Sequence, residues 1–463
     1  MSKNSYDVIV VGTGPTGIFT VLELLKKEAD LDILMLEKGK DISKRECPMK
    51  ENPGMGCLNC DSCSVVSGWG GAGAFSDGKL SLSPKIGGHM EEYIGLDRLK
   101  KLIKYTDQIY LDFGAPDRIF GGDNSKIDEI KTKAIKAQLK FIPAKLRHLG
   151  TGHTKTVLTN MKNYIESKGV DIKFKTNVTD FIIEDSKITG VKTAEGEIYK
   201  GENVITAPGR ENASWLSSLA PELGIETSIN PVDIGVRVET SAVIAKELTE
   251  NLYESKLIYQ TPTFDDKVRT FCMSPYGEVV NENNQGLITV NGHSHADIKT
   301  ENTNFALLVS KTFTEPFHEP TTYGKNIAKL ANLLGGGVLV QRLGDLLDGH
   351  RSTPVRIDRG IIEPTLKEAT PGDLSLVFPY RHLKGIIEML EALDELAPGL
   401  YSRDTLLYGV EVKFYSNRID VNENMETKIE NLYTGGDGAG ITRGLMQASV
   451  SGVVIARDIL SEE

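Results

Sequence analysis

Cys57-x-x-Cys60-x-x-Cys63, with Cys47 upstream, puts four thiols in a short window. That number suits a four-thiolate centre. The spacing is close to runs that hold an iron–sulfur cluster, and structural zinc accepts the same ligands. A cluster would pass single electrons, zinc would staple the loop, and four reduced thiols without metal are the third reading. Pro48 and Pro53 make the approach to Cys47 irregular, which leaves Cys47 the least secure ligand. Directly downstream, Gly70, Gly71, Ala72 and Gly73 strip side chains from a stretch of backbone, so that it can approach a flat or anionic ligand. Ser76, Asp77 and Lys79 follow, and Asp77-Gly78 reads equally as a turn.

The best-placed glycines lie near the N-terminus, in "YDVIVVGTGPTGIFTVLELLKK". Residues 8–11 form an apolar run suited to a parallel strand buried on both faces. Gly12, Gly14 and Gly17 then bracket Pro15 and Thr16 in a G-x-G-x-x-G pattern, and Ile18, Val21, Leu22 and Leu25 recur at helical spacing. A glycine turn between strand and helix is the context for binding a dinucleotide. Gly12 permits the turn, Gly14 admits the pyrophosphate, and Gly17 lets helix and strand pack closely. The helix N-terminus supplies free N–H groups for the phosphates. A second strand, "DILMLEKG", ends in Glu37, followed by Lys38. A carboxylate there accepts from ribose hydroxyls and repels a 2′-phosphate. Far along the chain, a short strand leads into Gly435, Gly436, Asp437, Gly438 and Gly440, with a helix expected from about Ile441 and Thr442.

These segments resemble the flavoproteins with a glutathione-reductase type of FAD domain. The closer resemblance is to a family of FAD-dependent dehydrogenases related in fold to thiazole synthase, carried by "GGAGAFSDGKL", "RTFCMSPYGEVV", "VNGHS" and "GDGAGITRGLMQASVSG". The resemblance implies FAD. It implies that Asp437 binds the ribityl chain or pyrophosphate, and that the helix from about Ile441 faces the O2 and N1 edge of the flavin. It further implies that Val178 touches the adenine, that the run Val204, Ala207, Gly209 closes the meander (with Pro208 a departure from pattern), and that residues 70–73 cross the ring with Ser76, Asp77 and Lys79 near its N5 side.

The elements that must position these groups imply an α/β chain. The expected architecture is a Rossmann-like FAD-binding domain, a parallel sheet with a β-meander, plus an α+β substrate or cap domain. The expected division is 1–224 and 426–463 for the first, with the Cys-rich loop and a helical insertion at about 80–150, and 225–425 for the second. The meander should turn at Glu195-Gly196 and near Gly201. "TGHTKTVLTNMKNYIESKG" reads as a helix with Val157, Leu158, Met161 and Ile165 on one face. "KTKAIKAQLKFIPAKLRHLG" is basic without an acidic residue; it reads as a solvated helix face broken at Pro143, or as a docking patch for an acidic redox partner or NAD(P)H phosphates.

No second dinucleotide fingerprint is found. Electrons would therefore come from substrate, from transient NAD(P)H, or from a partner protein. Catalytic candidates are Lys79, Cys272 as a thiol, and His350 with Arg351 as a carboxylate clamp; His293 and His295 read better as loop residues. The chain has 463 residues and a net charge of −11, which argues against broad nucleic-acid binding. No apolar run reaches membrane-spanning length, no signal peptide is read, and a cytoplasmic setting is expected. The function expected is FAD-dependent hydride or electron transfer to or from a small organic substrate. A non-redox dinucleotide-using synthase and a flavin electron-transfer subunit are the alternatives.

Overall fold

The computed structural model describes residues 3–461 except 27–29, 49–57, 59, 77, 123, 285, 295–298, 314–315 and 318. Cys57, Asp77 and His295 thus lie outside the described residues. The chain divides into two compact units, one of residues 1–118, 146–230 and 415–463, the other of 119–145 and 231–414. The sequence reading set its borders at 224/225 and 425/426; here residues 119–145, part of the expected insertion, belong to the second unit.

The first unit is built on β1 (Ser5–Val11), α1 (Pro15–Lys26) and β2 (Ile33–Glu37). Val8, Ile9 and Val10 are fully buried, as a strand covered on both faces requires. β1 lies between β2 and the strand Ile198–Thr206, parallel to both, and Asp171–Phe174 adds to β2 in parallel. The strand Ile198–Thr206 has two partners on its other side. Its first residues pair antiparallel with Lys187–Thr193, which continues to Val178–Glu184 as a meander, and its last three pair parallel with Leu432–Thr434. This is the expected parallel sheet plus meander.

Two local expectations change. Gly201 is not at a turn but inside the strand Ile198–Thr206, where a Cβ would lie 2.7 Å from Ile9 Cδ1, so glycine serves strand packing there. The basic helix is not broken at Pro143. It ends at Lys136, Gln138 takes a positive φ of 58°, and a short strand Lys140–Ile142 follows. Nor is the whole basic stretch solvated: Arg147, on the strand Leu146–His148, is 2% exposed and makes paired 2.8 Å bonds to Asp107.

The helix Thr151–Ser167 buries Val157, Leu158, Met161 and Ile165, the predicted face. The C-terminal helix Leu445–Ile459 packs on α1 so closely that a Cβ on Gly452 would lie 2.2 Å from Thr16 O. Buried Glu23 of α1 joins them through Arg457 Nε at 2.9 Å.

The second unit is an eight-stranded sheet in the order Thr370–Pro371, Leu339–Arg342, Leu406–Lys413, Val232–Ser241, Asn302–Lys311, Lys267–Ser274, Lys256–Gln260 and Lys140–Ile142. It is antiparallel except for the first pair. The helix Tyr380–Leu396 covers it with Ile386, Met389, Leu390 and Leu393. Among the described residues no helix is long and apolar enough to cross a membrane.

Candidate functional site

Each glycine of the first turn has a distinct environment. Gly12 has φ +99°, and a Cβ there would lie 2.3 Å from Ala207 O. A Cβ on Gly17 would lie 2.1 Å from Gly12 O and 2.9 Å from Val10 Cγ1, so this position fixes the approach of α1 to β1. A Cβ on Gly14 would meet nothing within 4 Å. Two glycines are thus needed by the fold, while the third leaves open space at the start of α1. Pro15 opens that helix, a favoured place for a residue with no N–H. Thr16 is turned away from the opening, donating its hydroxyl to Ala448 O at 3.0 Å.

The second glycine run comes to the same place. Gly70 N donates to Thr13 O at 2.8 Å, and a Cβ on Gly71 would stand 3.3 Å from Gly14 Cα. Gly70 and Gly71 both have positive φ, 84° and 59°, before the 3-10 turn Gly71–Phe75 that includes Ala72 and Gly73. A Cβ on Gly73 would lie 2.6 Å from Leu445 Cδ2. Ser76 folds back, its hydroxyl 2.8 Å from Gly73 O. Lys79 begins the strand Lys79–Ser81, opposite His148.

Two charged residues that sequence reasoning did not single out hold this loop. Arg45 is 2% exposed, and its guanidinium donates to the carbonyls of Ser64, Val65, Trp69 and Gly71 at 3.0, 2.9, 2.6 and 2.8 Å. Burial pulls its pKa down to about 10, so it stays a cation at neutral pH. Glu211 accepts from the Ser67 hydroxyl, and burial raises its pKa. No periodicity marks either residue; both act by closing an irregular loop.

Glu37 is buried at the end of β2 with its carboxylate already engaged. One oxygen takes Thr13 N and Thr13 Oγ1 at 2.9 and 2.7 Å, the other Gly39 N and Gly68 N at 2.7 and 3.0 Å. A carboxylate has about four acceptor positions, so a ribose hydroxyl would have to displace one of these donors. Lys38 Nζ donates to Asn212 Oδ1 at 3.0 Å. The chain bearing Val178 runs beside this strand end, where Thr176 N donates to Glu37 O at 2.9 Å.

The C-terminal turn completes the cradle. A Cβ on Gly436 would lie 2.5 Å from Thr16 Oγ1, and one on Gly438 would lie 2.5 Å from Gly209 O, which seats this turn against α1 and the Ala207-Pro208-Gly209 bend. Gly440 has φ +72° and presses on Asn417 O. Asp437 uses one carboxylate oxygen for Thr442 Oγ1 and Gly444 N, at 2.7 and 3.1 Å; the other is 3.8 Å from Arg210 Nε. The helix starts at Leu445, not near Ile441. Ile441 O is taken by His89 N at 2.8 Å, and the Asp437 carboxylate holds Thr442 and Gly444 in a turn, so these residues are bound outside the helix.

The remaining candidates lie in other segments of the chain. Among the described residues, no three His, Cys, Asp or Glu side chains come together as metal ligands. Cys47 and Cys63 are half-buried, Cys60 is exposed, and all are free thiols. Among the described residues, Cys47, Cys60 and Cys63 form no cluster or zinc centre; Cys57 lies outside the described residues. In the second unit, His350 and Arg351 occupy an exposed loop between the helices Leu343–Leu347 and Pro354–Asp358. Cys272 sits on a bulge of the strand Lys267–Ser274 with φ +42°, and its carbonyl accepts from Arg237 Nη2 at 2.6 Å.

That arginine explains several sequence motifs at once. It is fully buried, bonded to Asn304 Oδ1 at 2.8 Å and Ser274 Oγ at 3.1 Å, and 3.4 Å from Glu411. A Cβ on Gly292, the glycine of "VNGHS", would lie 1.8 Å from its Nη2.

Residues 231–414 match a family model described as FAD-dependent protein, C-terminal domain-like. An uncharacterized protein of Clostridium beijerinckii is 27% identical over 98% of this chain and 80% of its own length. Among solved structures, the chain is similar to an L-proline dehydrogenase from P. horikoshii (14% identity, 99% of this chain and 94% of that one, TM-score 0.41). It is similar also to a 3-ketosteroid-delta4-(5alpha)-dehydrogenase from Rhodococcus jostii (13%, 98% and 96%, TM-score 0.46). A glycine oxidase from Bacillus cereus aligns at 14% identity over 99% and 96%, TM-score 0.40.

Proposed function

We propose that the chain is an FAD-dependent oxidoreductase acting on a small organic substrate. The observation that carries this reading is the meeting of Gly14, Gly71 and the Asp437 turn, three segments distant in sequence, around an opening that the fold itself leaves unfilled at Gly14. Bound FAD would supply hydride acceptance and donation at its N5 atom.

The chain's own residues have separable tasks. Gly14 keeps the backbone bare, and the first turn of α1 offers N–H groups to a pyrophosphate. The Asp437 oxygen not held by Thr442 and Gly444 is the acceptor for cofactor hydroxyls. Arg45 keeps the Gly70–Gly71 backbone in place by holding four carbonyls. Glu37 ties the first turn to Gly39 and Gly68, with ribose recognition as its added role. Lys79, two residues after the Asp77 position, is the candidate side chain for the reacting end within the same unit. Cys272 and the His350–Arg351 pair remain candidates on the second unit. The family match over residues 231–414 supports the assignment to FAD. The electron source is the substrate itself, transient NAD(P)H, or a partner protein.

The test is an absorption spectrum of gently purified protein, followed by FAD reconstitution and anaerobic reduction with NADH, NADPH and candidate amino or hydroxy acids. A flavin spectrum bleached by one of these supports the reading. Colourless protein that takes up no added FAD overturns it.

A further inference from the structure

The segment 84–92 lies against the turn that leads into the C-terminal helix. His89 N donates to Ile441 O and Arg443 N donates to Gly87 O, both at 2.8 Å. Gln447 Nε2 donates to the carbonyls of Pro84 and Ile86 at 3.2 and 3.1 Å. A Cβ on Gly88 would lie 2.6 Å from Thr442 Cα. Leu445, next after this turn, is the residue whose side chain meets Gly73. His89 is thereby fastened to the wall of the cradle.

The two nitrogens of His89 have opposite surroundings. Nδ1 is 2.8 Å from Glu92 Oε1, a carboxylate whose side chain is 56% exposed and whose other oxygen binds Arg418 Nη1 at 2.5 Å. Nε2 is buried with no hydrogen-bond partner. A neutral imidazole carries one proton, so the carboxylate fixes it on Nδ1 and leaves a lone pair on Nε2. Burial lowers the imidazole pKa, with Arg418 from its strand and Arg443 from the turn acting in the same direction, while Glu92 opposes them. A cavity of about 480 Å³ opens on this segment. Of its charged residues, Lys85 and Glu91 are bonded to each other at 2.9 Å and Glu92 is held by His89 Nδ1 and Arg418, which leaves His89 Nε2 as the unused proton-accepting atom of the lining.

We propose that His89 is the proton-uptake residue of the flavin site, gaining a proton at Nε2 from solvent when reduction adds negative charge to the cradle. This rests on the FAD reading above. Two electrons enter from the reductant, one proton accompanies them to the flavin, and a second proton is held by His89. Two arginines that disfavour imidazolium in the oxidised protein are offset once the cradle carries an anion, because like-charge repulsion is then opposed by attraction. Nδ1–H stays on Glu92 throughout, so the ring does not need to turn.

The test is mediated electrochemical reduction of the FAD-loaded protein in weak buffer with a pH indicator, so that the reductant releases no protons, alongside 15N spectra of the histidine rings. The parent should take up about two protons per flavin near neutral pH, and His89→Gln about one, at equal flavin content and melting temperature. The His89 ring should pass from singly to doubly protonated on reduction. Glu92→Gln keeps the imidazole and guards against a misfolded His89 variant; it should move the second uptake to lower pH. Equal uptake by parent and His89→Gln, or an unchanged ring spectrum on reduction, overturns the assignment while leaving FAD binding intact. Failure to bind FAD at all overturns the functional reading itself, and this inference with it.

Discussion

Gly14→Ala separates cofactor binding from folding. The added methyl meets no atom of the protein within 4 Å, and Gly14 needs no positive φ. Replacing glycine at a compatible position stabilises by about 0.4–1 kcal/mol, through the unfolded state. The apoprotein should therefore melt at or slightly above the parent temperature. On the function proposed above, the same methyl would occupy the space for the pyrophosphate and hold it off the N–H groups of α1. Loss of one hydrogen bond to a charged group costs about 1.5–3 kcal/mol, which is roughly a 10- to 100-fold weaker Kd. The assay is removal of flavin, thermal melting of both apoproteins, and titration with FAD by fluorescence quenching. Gly17→Ala is the contrasting variant. Its Cβ would lie 2.1 Å from Gly12 O, and overpacking of that kind costs about 1–3 kcal/mol. A Gly14→Ala protein that binds FAD as tightly as the parent, or whose apoprotein is the less stable of the two variants, overturns this role for Gly14.

Further expectations follow from the buried groups. His382 is 2% exposed with both ring nitrogens unpartnered, and burial followed by Lys311 pushes its pKa down from 6.5 to about 4. The unfolded chain protonates first as pH falls, so this contribution is full above about pH 6.5 and is lost on descending towards pH 4. A shift of that size corresponds to about 3 kcal/mol; urea unfolding at pH 7 and 4.5 should show it in the parent and not in His382→Leu, and equal pH slopes would count against it. Arg45→Met strands four carbonyls, each buried acceptor costing about 1–3 kcal/mol. Denaturant midpoints and retained flavin should both fall. Gly292→Ala drives a methyl into Arg237 and should destabilise the second unit by about 1–3 kcal/mol, seen as a lower melting temperature. Cys60→Ser and Cys63→Ser should leave flavin content unchanged, because the turn is tied through the Cys63 carbonyl, which accepts from Val66 N and Ser67 N at 3.2 and 2.9 Å.

The parts of the site legible in sequence are those where geometry forbids a side chain. Gly12 and Gly17 are needed at backbone contacts, and the strand and helix flanking them show ordinary periodicity. The helix starts four residues later because hydrogen bonds to the Asp437 carboxylate and from His89 N, invisible to local pattern, hold residues 441–444 in a turn. Arg45, Glu211 and His89 escaped because each acts across a fold-dependent gap, with no repeat or motif around it. Cys47, Cys60 and Cys63 suggested coordination by spacing alone, yet the described thiols do not converge. The "VNGHS" glycine was visible as a motif, but its reason, a buried guanidinium from another strand, required the fold.

The contact of Gly452 with Thr16 has a consequence for synthesis. α1 is translated long before the helix Leu445–Ile459 that packs against it. During translation the face of α1 that meets Gly452 therefore waits uncovered. Completion of the cradle must follow synthesis of the helix Leu445–Ile459, and the speed with which that helix docks sets how long the face of α1 stays exposed to other chains.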